Sequence, residues 1–263
     1  MIYRFILLLV MVTSLYGAED SWYNKVDVKV EAGMHFSSFD GTLTNSASTP
    51  TNFRSDFDYT NTYSSFFAIE LKFDNAYIPN IDISYINSKQ NQDVDLNKTM
   101  QVASYEFSGL TSTRIDYKVL NVLLSKEFLK KGTRFSFWRW KFYPGDIKYA
   151  IGINVKVIDW HFEIIDRKVT DSEYKFDRVE SFIPLPYLGF KHFYYNLVTY
   201  AKISALSLSE AKSTNYQIGI DYKVVDGLYL GLSYMYEDFQ AVEKKDSIDF
   251  RTTGNKFSFK YIF

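Results

Sequence analysis

The chain has 263 residues, with 30 basic and 31 acidic side chains and no cysteine. The lack of cysteine excludes a disulfide framework, a thiol nucleophile and a cysteine-ligated metal, and the balanced charge argues against a nucleic-acid binder. Hydrophobic residues make up 46% of the chain and aromatic residues 19%, which argues against disorder. The longest apolar run, residues 5–12, is far shorter than the roughly 20 residues of a membrane-spanning helix.

The first residues have the pattern of a secretory signal peptide. Arg4 precedes the apolar run, and the small residues Gly17 and Ala18 follow it. We predict a signal peptide over 1–18, with cleavage after Ala18 or, alternatively, after Gly17. The remaining residues, 19–263, form the predicted mature domain.

Next come strands with a period of two. Apolar residues occupy every second position from Val26 to Phe36, with mostly polar residues between them. Such alternation is typical of a β-strand with one apolar face. Pro184 and Pro186 interrupt one candidate strand, and we expect a bulge or a strand start there. The predicted strands after the first lie near 64–74, 80–88, 113–128, 147–162, 181–190, 197–208, 216–224, 228–236 and 257–263.

The connections between these strands mostly alternate in length. Residues 225–227 make a short connection, whereas 41–63, 87–112, 164–180 and 241–253 are long and rich in polar residues. This alternation is typical of an up-and-down barrel with tight turns on one side of a membrane. We predict an all-β, antiparallel, up-and-down transmembrane β-barrel of ten strands, with eight or twelve as alternatives. Both ends of the barrel domain then lie on the tight-turn side, and the long loops are extracellular.

Alternation alone fits two kinds of barrel. A soluble, lipocalin-like binder has an apolar interior, whereas a membrane barrel has an apolar exterior and a polar lumen. Long strands and aromatic residues near strand ends, such as Tyr77 and Tyr195, favour the membrane barrel. The soluble binder is the alternative fold.

The last predicted strand carries aromatic residues at every second position: Phe257, Phe259, Tyr261 and Phe263. This pattern resembles the C-terminal assembly signal of bacterial outer-membrane β-barrel proteins, which the barrel assembly machinery reads. The layout is also similar to a family of small outer-membrane barrels without assigned activity, at 30–33, 78–81, 183–187 and 226–228, although 134–143 departs from it. The resemblance implies a Gram-negative outer-membrane location, with lipid and the assembly machinery as partners. It implies no chemistry.

The polar faces of the predicted strands carry charges of both signs. In a narrow barrel these side chains fill the interior, and opposed charges form an ionic plug because unpaired buried charge is costly. A selective pore lined by charge is the alternative. The predicted lumen network comprises Lys29, Glu31, His35, Glu70, Lys72, Asp221, Lys223 and Lys260.

An enzyme at the outer rim is a further alternative. It would pair His35 or His161 with a nearby acid, as in the omptin proteases, but no omptin motif is present and the analogy concerns the fold only. The sequence contains no nucleophile elbow, phosphate loop or metal-ligand cluster. We therefore predict no enzymatic activity and no cofactor.

Two further motifs have simple explanations. Trp138, Trp140 and Tyr143 lie among basic residues, and we interpret them as an interfacial girdle rather than a nucleic-acid surface. Asn97 begins an Asn-Lys-Thr acceptor in a predicted surface loop and is a weak candidate for glycosylation. The function favoured by the sequence is structural or surface interaction, in which the outer loops contact an extracellular ligand or surface partner.

Overall fold

The computed structural model describes residues 26–44, 50–59, 61–74, 77–102, 105–132, 135–137, 140–142, 145–166, 173–207, 211–243 and 246–263. The predicted signal peptide, 1–18, lies outside these residues. No helix in the described ranges is long and apolar enough to cross a membrane. The elements are β1 (Val26–Thr44), β2 (Thr51–Asn52), α1 (Phe53–Phe57), β3 (Asn61–Phe73), β4 (Asn80–Val102), β5 (Tyr105–Lys130), β6 (Phe135–Phe137), β7 (Trp140–Phe142), β8 (Asp146–Asp166), β9 (Glu173–Tyr194), β10 (Leu197–Ser207), β11 (Ala211–Val225), β12 (Leu228–Glu243) and β13 (Asp246–Ile262).

Ten strands form a closed antiparallel ring in the order β1-β3-β4-β5-β8-β9-β10-β11-β12-β13. The ring closes because β13 pairs with β1, from Lys29 opposite Ile262 to Thr44 opposite Ser247. β2 adds to the end of β1, and β6 and β7 form a separate hairpin between β5 and β8. The predicted ten-stranded, up-and-down barrel is confirmed.

In the half of the barrel that carries the tight turns, called the lower half, the apolar face of the strands points outward. On β13, Phe257 is 53% exposed and Phe259 is 65% exposed, whereas Ser258 between them and Lys256 and Lys260 on either side are buried. A barrel wall is one strand thick, so the exposed face is the exterior and the buried face lines the lumen. This arrangement is that of a membrane barrel, and the lipocalin-like alternative is wrong for this part of the molecule.

The outward apolar residues form a continuous band. On β1 the band runs from Val26 to Phe36, and at about 3.3 Å per residue and a tilt of about 40° this rises about 25 Å, the height of a lipid-facing band. Exposed aromatic residues border the band at both ends, as in an interfacial girdle. On the tight-turn side they include Tyr77, Tyr149, Tyr194, Tyr195, Tyr222 and Phe263, and on the loop side Phe36, Tyr63 and Tyr234.

Above the band, on the side away from the tight turns, the lumen-facing side chains become apolar and the outward side chains become polar. On β8 the lumen-facing residues change from Lys156 to Ile158 and Trp160, while Asp159 and His161 face outward. The outer extension therefore has an apolar core and a polar exterior, like a soluble barrel. The expectation of a charged lumen is wrong for this outer half. Its buried apolar side chains include Phe39, Leu43, Phe107, Ile115, Ile158, Trp160, Phe162, Ile164, Phe239, Ile248 and Phe250.

Most of the predicted long loops are strands in the structure. β4 extends to Val102 and β5 begins at Tyr105, so the stretch 87–112 is almost entirely a hairpin. The same holds for 241–253, where β12 reaches Glu243 and β13 begins at Asp246. The prediction of long extracellular loops was wrong here because the alternation continues with its apolar phase reversed, which leaves many polar residues outward.

The two prolines of β9 do not start a strand or make a bulge, contrary to the prediction. β9 runs through Pro184 and Pro186, and its pairing with β8 is continuous there. The register shift between these two strands lies instead between Trp160 and Phe162 of β8. Proline lacks an N–H group, and its effect appears on the other side of β9, where pairing with β10 ends at Tyr187 opposite Ser204.

Candidate functional site: the barrel lumen

The lowest charged layer of the lumen joins four strands. Lys29 Nζ lies 2.5 Å from Glu70 Oε2, and Lys191 Nζ lies 3.3 Å from Glu70 Oε1 and 2.8 Å from Glu127 Oε1. Lys72 lies 3.5 Å from Glu70 and 3.4 Å from Glu127. These cations and carboxylates come from β1, β3, β5 and β9 and fill the lumen across its width.

A second layer lies on β1, β11 and β13. Glu31 Oε1 lies 2.9 Å from Lys256 Nζ and 3.5 Å from Lys260 Nζ, and Lys260 donates a 2.5 Å hydrogen bond to Asp221 Oδ1. Lys256 Nζ also lies 3.9 Å from the ring centroid of Phe66. Each buried charge therefore has a partner of opposite sign, which such burial requires.

The third layer lies below the apolar core. Lys156 is fully buried and donates a hydrogen bond to Glu237, which also accepts a 2.7 Å hydrogen bond from Tyr117. His35 lines the same small cavity as Tyr117 and Glu237. Its Nε2 atom is buried and makes no hydrogen bond within the described residues.

Helix α1 closes the outer end. The Asn52 side chain accepts 2.9 Å hydrogen bonds from the backbone N–H groups of Arg54 and Ser55, and so caps the helix. Phe53 and Phe57 are fully buried, and their rings lie 5.3 and 5.5 Å from that of Phe162.

Tyr59, which follows α1, anchors the same segment. Its hydroxyl donates a 2.8 Å hydrogen bond to Thr113 of β5. Burial raises the pKa of this hydroxyl, so Tyr59 stays protonated and continues to donate. The connection between β1 and β3 therefore packs into the apolar core and blocks the outer end of the lumen.

The structure brings together six of the predicted lumen residues in the lower two layers: Lys29, Glu31, Glu70, Lys72, Asp221 and Lys260. His35 lies in the third layer. Lys223 does not join them: it lies beside the tight turn and pairs with the exposed Asp226 at 2.6 Å. The sequence also places Glu237 on a polar strand face, and it lies in the third layer. The sequence reasoning missed Asp82, Glu127, Lys156, Lys191, Lys202 and Lys256. Their signal was their position on the polar side of a period of two.

The two histidines considered for a rim enzyme lie on opposite faces of the wall. His35 is buried in the lumen, whereas His161 lies outward on β8, opposite Asp116 of β5. Within the described residues no group of three or more histidine and acidic side chains could hold a metal ion.

The remaining predicted sites are only partly described. Trp140 lies in β7, paired with Phe137, while Trp138 and Tyr143 lie outside the described residues. Asn97 belongs to β4 rather than to a loop, at a register shift between Leu96 and Met100. The aromatic residues of the last strand, Phe257, Phe259, Tyr261 and Phe263, are exposed on the exterior.

No protein-family model and no curated protein sequence matches this chain. Among solved structures, the outer membrane protease OmpT from Escherichia coli is similar, with 8% identity over 91% of this chain and 97% of that chain and a TM-score of 0.46. The translocator domain of the autotransporter NalP from Neisseria meningitidis has 11% identity over 99% and 95%, with a TM-score of 0.41. Ail, the attachment invasion locus protein of Yersinia pestis, has 6% identity over 89% and 99%, with a TM-score of 0.35. Likenesses this low say nothing of function, and the barrel fold of this chain rests on its own closed ring of ten strands.

Proposed function

We propose that this protein is a non-conducting barrel of the Gram-negative outer membrane whose outer extension serves as an interaction surface. The supporting observation is that the lumen is filled at three charged levels and stopped above them by an apolar core and α1. Export through a signal peptide over 1–18 and insertion by the barrel assembly machinery, through β13, belong to the same proposal.

The filled lumen argues against the alternative of a pore. An ion that crossed it would have to break the pairs that Glu70, Glu31 and Glu237 make with lysines, and then displace Phe53 and Phe57. Leaving a buried charge without its partner costs several kcal/mol, on the order of 3–5. The spaces between the layers are small, with cavities of about 90 and 20 Å³.

The exterior of the extension favours a hydrated partner. Outward side chains on β4, β5 and β8 carry both signs of charge, with Arg114 at 2.9 Å from Asp116 and Lys118 at 3.5 Å from Asp159. Polar, mixed-charge surfaces of this kind remain soluble and contact other hydrated surfaces. We infer that the partner is an extracellular ligand or a neighbouring surface molecule.

Planar-bilayer recording tests the sealed lumen. We expect no discrete single-channel steps from the refolded protein, whereas an open porin in the same bilayer conducts. Well-defined steps that scale with the amount of inserted protein would overturn the proposal.

Single cysteines test which end faces outward, because the chain has none of its own. Asp249 lies on the extension and Asp226 in a tight turn, and both are exposed. A membrane-impermeant maleimide should label Asp249→Cys on intact cells and Asp226→Cys only after the outer membrane is permeabilised. The reverse pattern would contradict the proposed orientation.

A further inference from the structure

The pairing between β9 and β10 stops at the two prolines of β9. Pairing with β8 continues past both, with Pro184 opposite Val155 and Pro186 opposite Ile153. Proline has no N–H to donate, so the missing donors lie on the side that faces β10. On that side the ladder ends among the described residues at Tyr187 opposite Ser204.

The ladder ends early, because β10 itself continues to Ser207. The gap lies within the apolar band, since Ile153, opposite Pro186, faces outward and is 54% exposed. The ladder between β3 and β4 also stops early, at Ser64 opposite Ser88, but that end adjoins the exposed Lys89 above the band. The gap between β9 and β10 therefore faces acyl chains on the loop side of the membrane, which is the outer leaflet.

A cavity of about 90 Å³ lies beside the last pair of the ladder, at the lower end of this gap. Tyr187 and Ser204, the last pair of the ladder, both line it. Ile203, whose side chain is 45% exposed on the exterior, lines it as well. The volume is that of several water molecules and is sufficient for a small polar head.

The lining has unused hydrogen-bonding capacity. Lys202 Nζ lies 3.7 Å from Asp82 Oδ2, which is beyond hydrogen-bonding distance. The side-chain oxygens of Asn121 and Asn154 are buried and make no hydrogen bond in the described part of the chain, and Asn154 is only 7% exposed. A ligand that supplies an anionic oxygen to Lys202 and a hydroxyl to the amide oxygens would satisfy all three groups.

We propose that this cavity binds the head of a single-chain, hydroxylated acidic amphiphile that enters sideways from the outer leaflet between β9 and β10. The tail stays among the lipids while the head occupies the lumen. This inference goes beyond the proposed surface role, but its assignment to the outer leaflet rests on the orientation proposed above. The sealed lumen and the laterally open cavity are tested by separate experiments.

The head site is tested with 3-hydroxydodecanoate, added to the protein in phosphatidylcholine nanodiscs and followed by NMR. We expect saturable shifts of the side-chain amide signals of Asn154 and Gln217, which line the cavity. Lys202→Gln should weaken binding at least about tenfold, the loss expected for one charge-assisted hydrogen bond. Lys148→Gln, a lumen lysine that does not line the cavity, should leave binding unchanged. The absence of saturable shifts, or equal weakening by both variants, would overturn the site.

The lateral route is tested by closing the gap. Pro184→Ala with Pro186→Ala restores two N–H donors and should abolish binding, whereas Pro79→Ala, in a tight turn, should not. Leu185→Cys with Leu206→Cys, which are opposite each other two positions beyond the end of the ladder in the same register, should block binding when oxidised and permit it when reduced. Gel mobility with and without heating verifies that each variant is folded.

A short ligand distinguishes entry from the membrane from entry through water. 3-Hydroxybutyrate has the same head without the tail, and we expect it to produce no saturable shifts at concentrations that saturate the longer acid. Equal binding of the two acids, or unchanged binding after the gap is closed, would show that the head arrives from the aqueous side and would overturn the lateral route.

Discussion

At the scale of single residues, each charged side chain described above in the three layers of the lumen has a partner of opposite charge. Lys156 is the extreme case, because it is fully buried and its ammonium group bonds to Glu237. Tyr117 adds a second hydrogen bond to the same carboxylate. Such a group contributes to a unique arrangement of the interior, and its partner cannot be removed without a large penalty.

Glu237→Ala should therefore destabilise the barrel by about 3–5 kcal/mol, because Lys156 is left buried without a carboxylate. Urea unfolding in lipid vesicles measures this loss. Lys212→Ala is the control: it removes a half-exposed ion pair with Asp238 at 3.7 Å and should cost less than about 1 kcal/mol. A double change of Lys156 and Glu237 to Met should recover much of the lost stability. Similar, small losses for Glu237→Ala and Lys212→Ala would contradict the assigned pair.

At the scale of elements, α1 is too short to be stable by itself and is held by its surroundings. Asn52 caps it, Phe53 and Phe57 are buried in the apolar core, and Asp58 ends it with a left-handed backbone conformation at φ 55°. Arg54, on its outer side, is exposed. The segment is held mainly by three buried side chains, Phe53, Phe57 and Tyr59, so its release is a local event that leaves the strands intact.

Phe57→Ala should expose this segment without unfolding the barrel. The loss of a buried aromatic side chain costs about 3–5 kcal/mol, and here it acts on local docking. Trypsin should then cut after Arg54 at least about tenfold faster than in the unaltered protein, as followed by mass spectrometry of the folded barrel. Ser55→Ala, at an exposed position of the same helix, should not change the rate. Unchanged cleavage of Phe57→Ala would mean that other contacts hold α1.

At the scale of the whole molecule, one closed sheet has two environments. Its lower part has an apolar exterior and a charged interior, and its upper part has the reverse. The change is seen along β12, where Leu232 faces outward in the band and Gln240 faces outward above it. In the proposed orientation we expect the reversal to mark the outer boundary of the membrane.

Two arginine substitutions on β12 test that boundary. Leu232→Arg should cost about 2–4 kcal/mol, because it places a charge against acyl chains, and Gln240→Arg should cost at most about 1 kcal/mol because its position is wet. Unfolding in lipid vesicles compares the two. Equal costs would show that β12 does not cross the membrane at Leu232.

Much of this fold could be predicted where the lipid-facing alternation is regular, as on β1 and β11 to β13, and the ten strands and their outward apolar face were predicted from it. The lengths of the strands were not predicted, because above the band the outward positions are polar and the sequence there resembles that of loops. The charged partners were predicted only in part. Glu127 and Lys191 are 64 positions apart, and only the registers of the intervening strands bring them together.

The sequence by itself determined antiparallel strands with one apolar face, because a strand that alternates presents its two faces to different environments. The alternating connection lengths then indicated a barrel, and the long strands with aromatic residues near their ends favoured an apolar exterior. Only the tertiary structure showed at which height the apolar face changes from outward to inward and which charged side chains form ion pairs. It also showed that pairing between β9 and β10 ends at the prolines of β9. The physical reason is that alternation specifies the side of the wall on which a residue lies, whereas depth, pairing and gaps depend on the register between strands distant in sequence.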